Sequence, residues 1–136
     1  MTKNKLMELL RARISPEEAV LLREGRGLVI NEHNRATALE LLSAPPAEGE
    51  VPDAEIEKLE GILTGYLEEM LADKPEGWKW IILACVYLSY VAGRPMHPIE
   101  PAKIRIRQEE GKTVYYCPLR SPEEDTACHY CVCRPL

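Results

Sequence analysis

Apolar positions recur at helical spacing as far as Gly93, and beyond it the rhythm changes. Leu6, Met7, Leu10 and Ile14 follow an i, i+3/i+4 pattern, with Lys5, Glu8 and Arg11 on the opposite side, which predicts a helix over residues 3–13. Ser15-Pro16-Glu17-Glu18 is a helix start: Ser caps, Pro suits the first turn, and Glu18 completes a capping box. Ala19, Val20 and Leu22 give that second helix its apolar stripe. Gly25-Arg26-Gly27 breaks it; without a flanking strand or a Lys-Ser/Thr signature the two glycines do not read as a phosphate cradle. Asn31 or Asn34 caps a third helix to about Ser43, with Ala38, Leu39 and Leu42 inward.

The stretch from Ala44 to Pro52 holds three prolines and a glycine and cannot sustain a helix. Asp53 is expected to cap a fourth helix reaching about Ala72, with a wide apolar face from Ile56 to Leu71 that includes Tyr66 and Met70. Gly61 and Gly65 lie four apart within it, a spacing that predicts close packing against another helix. Lys74-Pro75-Glu76-Gly77 turns the chain into Trp78–Ala92, apolar on all sides and therefore expected to be the buried central helix. Cys85 within it reads as a small core residue. Gly93 and Pro95 stop it.

After Pro95 the spacing is that of extended chain. Ile104-Arg105-Ile106-Arg107 alternates with period two, Glu109-Glu110-Gly111-Lys112 is a turn, and Thr113-Val114-Tyr115-Tyr116 is rich in strand formers. The prediction is a β-hairpin with Ile104 and Ile106 toward the helices and Arg105 and Arg107 toward water. The fold expected is mainly α (α+β). About five helices surround the 78–92 helix, and a C-terminal hairpin and cysteine knuckle dock on them. The whole of 1–136 is expected to form one domain, with a helical body over 1–93 and a hairpin plus Cys-rich tail over 94–136.

Composition changes this picture only in its charge. The formal net charge is −5, carried by the body: residues 1–93 hold ten Lys/Arg against sixteen Asp/Glu, whereas residues 94–120 hold six against three. An acidic body disfavours coating of nucleic acid, which depends on many cationic contacts. The strip Lys103, Arg105, Arg107 and Lys112 reads as the charged guard of an edge strand. No secretory signal precedes Leu6, and the longest apolar run, Trp80–Ala92, is too short for a bilayer of ~30 Å. The expected location is the cytoplasm, where cysteines serve more often as metal ligands or redox thiols than as disulfides.

Four of the five cysteines fall between Cys117 and Cys133, spaced Cys117-x10-Cys128-x2-Cys131-x-Cys133. Cys128-x-x-Cys131 is the knuckle spacing by which two thiolates grip one tetrahedral ion, and Cys117 ends the second hairpin strand as a distant ligand does in a zinc ribbon. Two residues contest the fourth place. Cys133 is nearest, but only one residue separates it from Cys131, which strains closure on a single ion. His97 is the other, since three cysteines and one histidine make an ordinary zinc site. His129, between two ligands, is expected to point away, and His33 reads as a surface residue.

The leading functional reading is a small metal-binding protein whose structural zinc staples the tail and whose surface binds a partner protein. A thiol-redox centre or metal-dependent enzyme at Cys128/Cys131 is the alternative, with Glu100 the one carboxylate to nominate beside a catalytic metal. An iron–sulfur cluster is the third, although the spacing matches neither common ferredoxin pattern. The chain contains no nucleophile elbow, HExxH, Walker or GxGxxG motif.

His97-Pro98, a hairpin with Gly111, Tyr115-Tyr116-Cys117-Pro118 and a closing Cys128-x-x-Cys131 together resemble an archaeal family found largely in methanogens, the domain of unknown function family 2115. The resemblance runs from Arg94 to Cys133. It departs at Ile99-Glu100-Pro101-Ala102, which lacks the expected glycines, and at Cys133, which is additional. It implies an archaeal origin and favours Cys117, Cys128, Cys131 and His97 as the shared set, with Cys133 a bystander. It implies no activity.

Overall fold

Helices begin in this chain where a side-chain oxygen meets the unpaired N–H groups of a first turn. A computed structural model describes residues 1–136. In α1 (Lys3–Arg11), Thr2 Oγ1 accepts from the Lys5 amide at 3.0 Å. In α2 (Pro16–Glu24) the predicted capping box is present: Ser15 Oγ accepts from the Glu18 amide at 3.1 Å, and Glu18 Oε1 accepts from the Ser15 amide at 2.9 Å. Gly25, at φ 72°, closes that helix in the left-handed conformation. Asn31 is the cap of α3 (Glu32–Ser43), its Oδ1 accepting from the Asn34 amide at 2.7 Å.

The expected face of α3 holds and that of α4 is corrected. On α3 Ala38 is buried together with Asn34, Thr37 and Leu41, and Leu39 and Leu42 are half-buried against the same core. On α4 (Asp53–Met70), Ile56, Leu59, Leu63 and Leu67 are buried, but Tyr66 and Met70 are 58% and 60% exposed. Gly61 and Gly65 face open space; a Cβ at either would meet nothing within 4 Å. They are not packing notches. Asp53 does not cap α4 either: Pro52 holds the cap position, and Asp53 Oδ1 accepts from the Met1 ammonium at 2.6 Å.

The apolar run after the Pro75–Gly77 turn is not one regular helix. It is α5 (Trp78–Tyr87) followed by a π-helical turn, Leu88–Ala92, ended by left-handed Gly93 at φ 64°. α5 lies against α1, α3 and α4, and Trp80, Leu83 and Val86 are buried in a core that also takes Leu10, Leu22, Leu41 and Leu59. Two polar ties fix its orientation. The Lys79 ammonium donates to both Glu18 oxygens at 2.6 and 2.7 Å and to the Arg13 carbonyl at 3.0 Å, joining α5 to the α1–α2 corner. Glu40 Oε2 accepts from the Tyr87 hydroxyl at 2.7 Å and from the Arg94 guanidinium, joining α3 to both ends of the π turn. Burial alone would raise the carboxyl pKa of both Glu18 and Glu40, but their partners outweigh it and hold both below the ordinary value.

After a short turn, α6 (Ile99–Ala102), which contains a cis Glu100–Pro101 bond, β1 (Arg105–Glu109) pairs antiparallel with β2 (Lys112–Cys117). The two-residue loop Glu110-Gly111 has φ of 52° and 76°, the signs of a type I′ hairpin turn. A third strand, β3 (Arg134–Pro135), adds in parallel on the far side of β2, with Tyr116 opposite Arg134 and Cys117 opposite Pro135. The chain is thus mainly helical with a small sheet near its C-terminus. Arg105 and Arg107 are exposed as expected, Arg107 lying 5.1 Å from the Tyr116 ring. Ile106, expected to pack on the helices, is 51% exposed, whereas Ala102 and Ile104 just before the strand are buried. No helix is long and apolar enough to cross a membrane.

Two stability predictions follow from these contacts. Because Gly61 and Gly65 are helical with free space around them, Gly61→Ala and Gly65→Ala should each raise stability by about 0.5–1 kcal/mol; a loss of stability in chemical denaturation would show that a neighbour occupies that space. The Glu18 and Glu40 carboxylates are depressed in the folded state, so their contribution is fully present above the ordinary value of 4.5 and is lost as the pH falls below it through the folded values. Urea midpoints should hold from pH 7 to about 5 and then fall, and Glu40→Gln should flatten that fall while costing about 1 kcal/mol at neutral pH.

Candidate metal centre

The tail has little apolar material of its own, and its sulfur atoms take that place. Ala102, Ile104, Cys117 and Cys133 form a second buried cluster, with Tyr115 and Cys131 packed against it. The Ala127–Tyr130 turn, a single turn of 3-10 helix, lies on α4, and Ala127, Tyr130 and Cys131 also pack against the main core. Cys131 therefore touches both cores. β3 brings Cys133 back beside the strand that ends at Cys117.

These elements converge on a cavity of about 40 Å³. Cys117, Cys128, Cys131, Cys133 and His97 all line it, together with Met96, Ile104 and Arg120. All five residues singled out by the sequence thus surround one space, although 36 positions separate the first from the last. They do not contribute alike. Cys117 and Cys133 are buried, Cys128 and Cys131 half-buried, and His97 exposed. His129 is exposed and stands edge-on to Tyr130 at 5.0 Å, away from the cavity as expected. All five cysteines are free thiols, and no three His, Cys, Asp or Glu side chains converge tightly enough, as they stand, to hold an ion.

The electrostatics tie the thiols to one another. Burial pushes the Cys133 thiol up, and its neighbours Cys131, Cys117 and Cys128 push it further, since each thiolate disfavours the next. Arg120, just beyond β2, is one resident cation: its Nε donates to the Cys133 carbonyl at 2.9 Å, and the residue lines the cavity. Cys85 was missed as a neighbour. Burial, with Cys131 beside it, pushes its thiol up to about 12. Nothing in its spacing, on a helix well before the tail, announces that proximity. Glu100 does not line the cavity.

His33 has a structural part here. Its Nε2 lies 2.9 Å from the Met96 carbonyl and ties α3 to the segment that carries His97. Met96 itself is buried in the main core.

A shift from the ordinary 9 to about 12 leaves Cys85 with roughly a thousandfold smaller thiolate fraction at neutral pH. In metal-free protein, alkylation by iodoacetamide at pH 8, mapped by mass spectrometry, should label Cys128 well before Cys85 and Cys133. Equal labelling of all five would show that the tail does not bury them.

Comparison with known proteins agrees with the resemblance and extends it. A UPF0305 protein of Methanocaldococcus jannaschii is 30% identical over 97 residues, an alignment that covers 64% of this chain and 58% of the relative. The chain thus spans somewhat more than half the length of that relative. No solved structure matches the chain. The family profile described as an uncharacterized protein conserved in archaea, DUF2115, matches residues 26–135, which takes in α3, α4 and α5 as well as the cysteine tail. With most of its length inside that match, the chain belongs to the archaeal family DUF2115.

Proposed function

We propose that the tail is a structural zinc site, with Cys117, Cys128, Cys131 and Cys133 as its ligands, in a small cytoplasmic protein whose exposed helical surface binds a protein partner. The observation that carries this reading is the convergence of four thiols on one cavity of about 40 Å³ with no carboxylate in its wall. An all-sulfur donor set suits a closed tetrahedral site with Zn–S distances of about 2.3 Å. Zinc binds cysteine as thiolate, so metal binding would release the thiol protons and order the side chains together.

Cys133 takes the fourth place in this reading because it is buried among the other thiols, whereas the His97 ring is exposed at the rim. The parallel β2–β3 pairing sets Pro135 opposite Cys117 and so brings Cys133 close to the strand end that carries Cys117. His97 is the substitute ligand, as the family resemblance implies. We read the helical body as a bundle of about five helices around α5 and its π turn, and the chain as one domain on which the stapled tail docks. Tyr66 and Met70, projecting from α4, are the apolar positions that suit a partner.

The thiol-redox reading draws on one feature, the adjacency of Cys131 to both Cys133 and Cys85. One set of measurements separates the readings. Protein purified anaerobically without added metal should carry about one zinc per chain. Cys117→Ser and Cys133→Ala should each weaken zinc binding by more than about a hundredfold, since loss of a mere outer-shell partner reaches that, and should broaden the hairpin resonances. His97→Ala should leave the zinc in place. Iron with visible absorbance would replace zinc by an iron–sulfur cluster, and absence of metal with a readily reduced disulfide would replace it by a redox thiol pair.

A further inference from the structure

A second cavity, of about 400 Å³, lies on the other side of Pro95 and His97, the two residues it shares with the thiol cavity. One wall is a single face of α3: His33, Ala36, Thr37 and Glu40 lie three, four and seven apart and so project together. The opposite wall is the cross-strand pair Ile106 and Tyr115, with Ile99 beside it. This accounts for Ile106: it points toward the helices, but across a gap, which leaves it 51% exposed. A cleft of this size, mostly apolar with a few convergent polar groups, has the dimensions of a small-molecule site.

Its polar groups select the ligand. The π turn and left-handed Gly93 deliver Arg94 into the cleft, and its backbone is fixed by a 2.9 Å bond from its amide to the Leu88 carbonyl. Only Nη2 of its guanidinium has an acceptor in the chain, the Glu40 carboxylate, so Nε and Nη1 keep free N–H donors. Glu40 is in turn engaged by the Tyr87 hydroxyl. Behind it, Arg11 donates to the Leu41 and Ala44 carbonyls at 2.8 and 2.7 Å. Arg11 does not reach the cleft lining, where the charged groups are the paired Arg94 and Glu40. The Tyr115 hydroxyl and the His97 ring, also in the wall, make no hydrogen bond within the chain. The Arg94 guanidinium, with N–H donors left free on Nε and Nη1 and facing apolar side chains, is complementary to an anion on an apolar body.

We infer that this cleft binds a small carboxylic acid in its ionised form, with the carboxylate on the free donors of Arg94 and the apolar body between α3 and the Ile106/Tyr115 pair. The inference does not rest on zinc: the cleft is built from α3, the π turn, the 95–99 segment and one hairpin face, and no cysteine lines it. The binding is also distinct from partner docking, since Tyr66 and Met70 take no part in the cleft.

The test is titration of the full chain, as purified, with benzoate, followed by two-dimensional NMR, with zinc content measured on the same samples. Benzoate should give saturable shifts centred on Thr37, Arg94 and Ile106, and benzyl alcohol, of the same shape without the charge, should bind at least about tenfold more weakly. Acetate, which keeps the charge and lacks the apolar body, should also bind at least about tenfold more weakly. Arg94→Gln should erase the preference for benzoate over benzyl alcohol. Because that change also removes the Glu40 pair, Ile106→Glu provides a second variant at an exposed side chain. It should weaken benzoate at least about tenfold while the remaining hairpin resonances stay in place. Failure of benzoate to saturate, equal affinity for the alcohol or for acetate, or an unchanged benzoate affinity in Ile106→Glu would each overturn the assignment, whatever the zinc content.

Discussion

Two of the four residues buried in the tail's own core are cysteines, and the remainder of that core is one alanine and one isoleucine. A two-stranded hairpin with so little apolar surface is marginal in water. Its arrangement therefore depends on contacts between the sulfur cluster and everything around it. β3 gives the sheet a third strand, Arg120 holds the Cys133 carbonyl, and the Ala127–Tyr130 turn rests on α4. Cys131 carries the most, since it packs against both hydrophobic clusters and lies next to Cys85 on the helical side. A change that moves this one sulfur is felt by both halves of the chain.

The helical body has the opposite economy. Its core is built mainly from large aliphatic and aromatic side chains, and polar contacts serve to orient it. Lys79 and Glu40 each bind two separate elements at once, so α5 is held at its start and, through Tyr87 and Arg94, across the π turn at its end. That turn matters for position as much as for stability. A wider helical turn and a left-handed glycine place Arg94 beside α3, where a continued α-helix would have carried the chain elsewhere.

Local signals were legible in the sequence and non-local ones were not. Ser15, Pro16 and Glu18 specify a helix start within four residues, and Glu110-Gly111 between alternating segments specifies a hairpin, because each involves only its own backbone. The gathering of the tail cysteines was legible in part for the same reason: Cys128 and Cys131 are close in sequence and Cys117 ends a strand, and all three line one cavity. What failed required knowledge of a neighbour. Gly61 and Gly65 have the spacing of a helix contact, but whether a helix arrives there is decided elsewhere, and none does. Asp53 has the chemistry of a cap, but the Met1 ammonium reaches it. Ile106 alternates correctly toward the helices but meets a cleft. β3 is two residues long and has no period to read, and neither Cys85 nor Arg120 carries any mark of the sulfur it approaches.

His97 stands in the wall of both cavities, exposed, with no hydrogen bond to fix its ring, while the backbone just before it is moored to His33. Pro95 and His97 are the residues common to the two linings, so a change of either side chain reshapes both spaces at once. The residue that first drew notice as a contested ligand is in this respect a wall shared by two rooms.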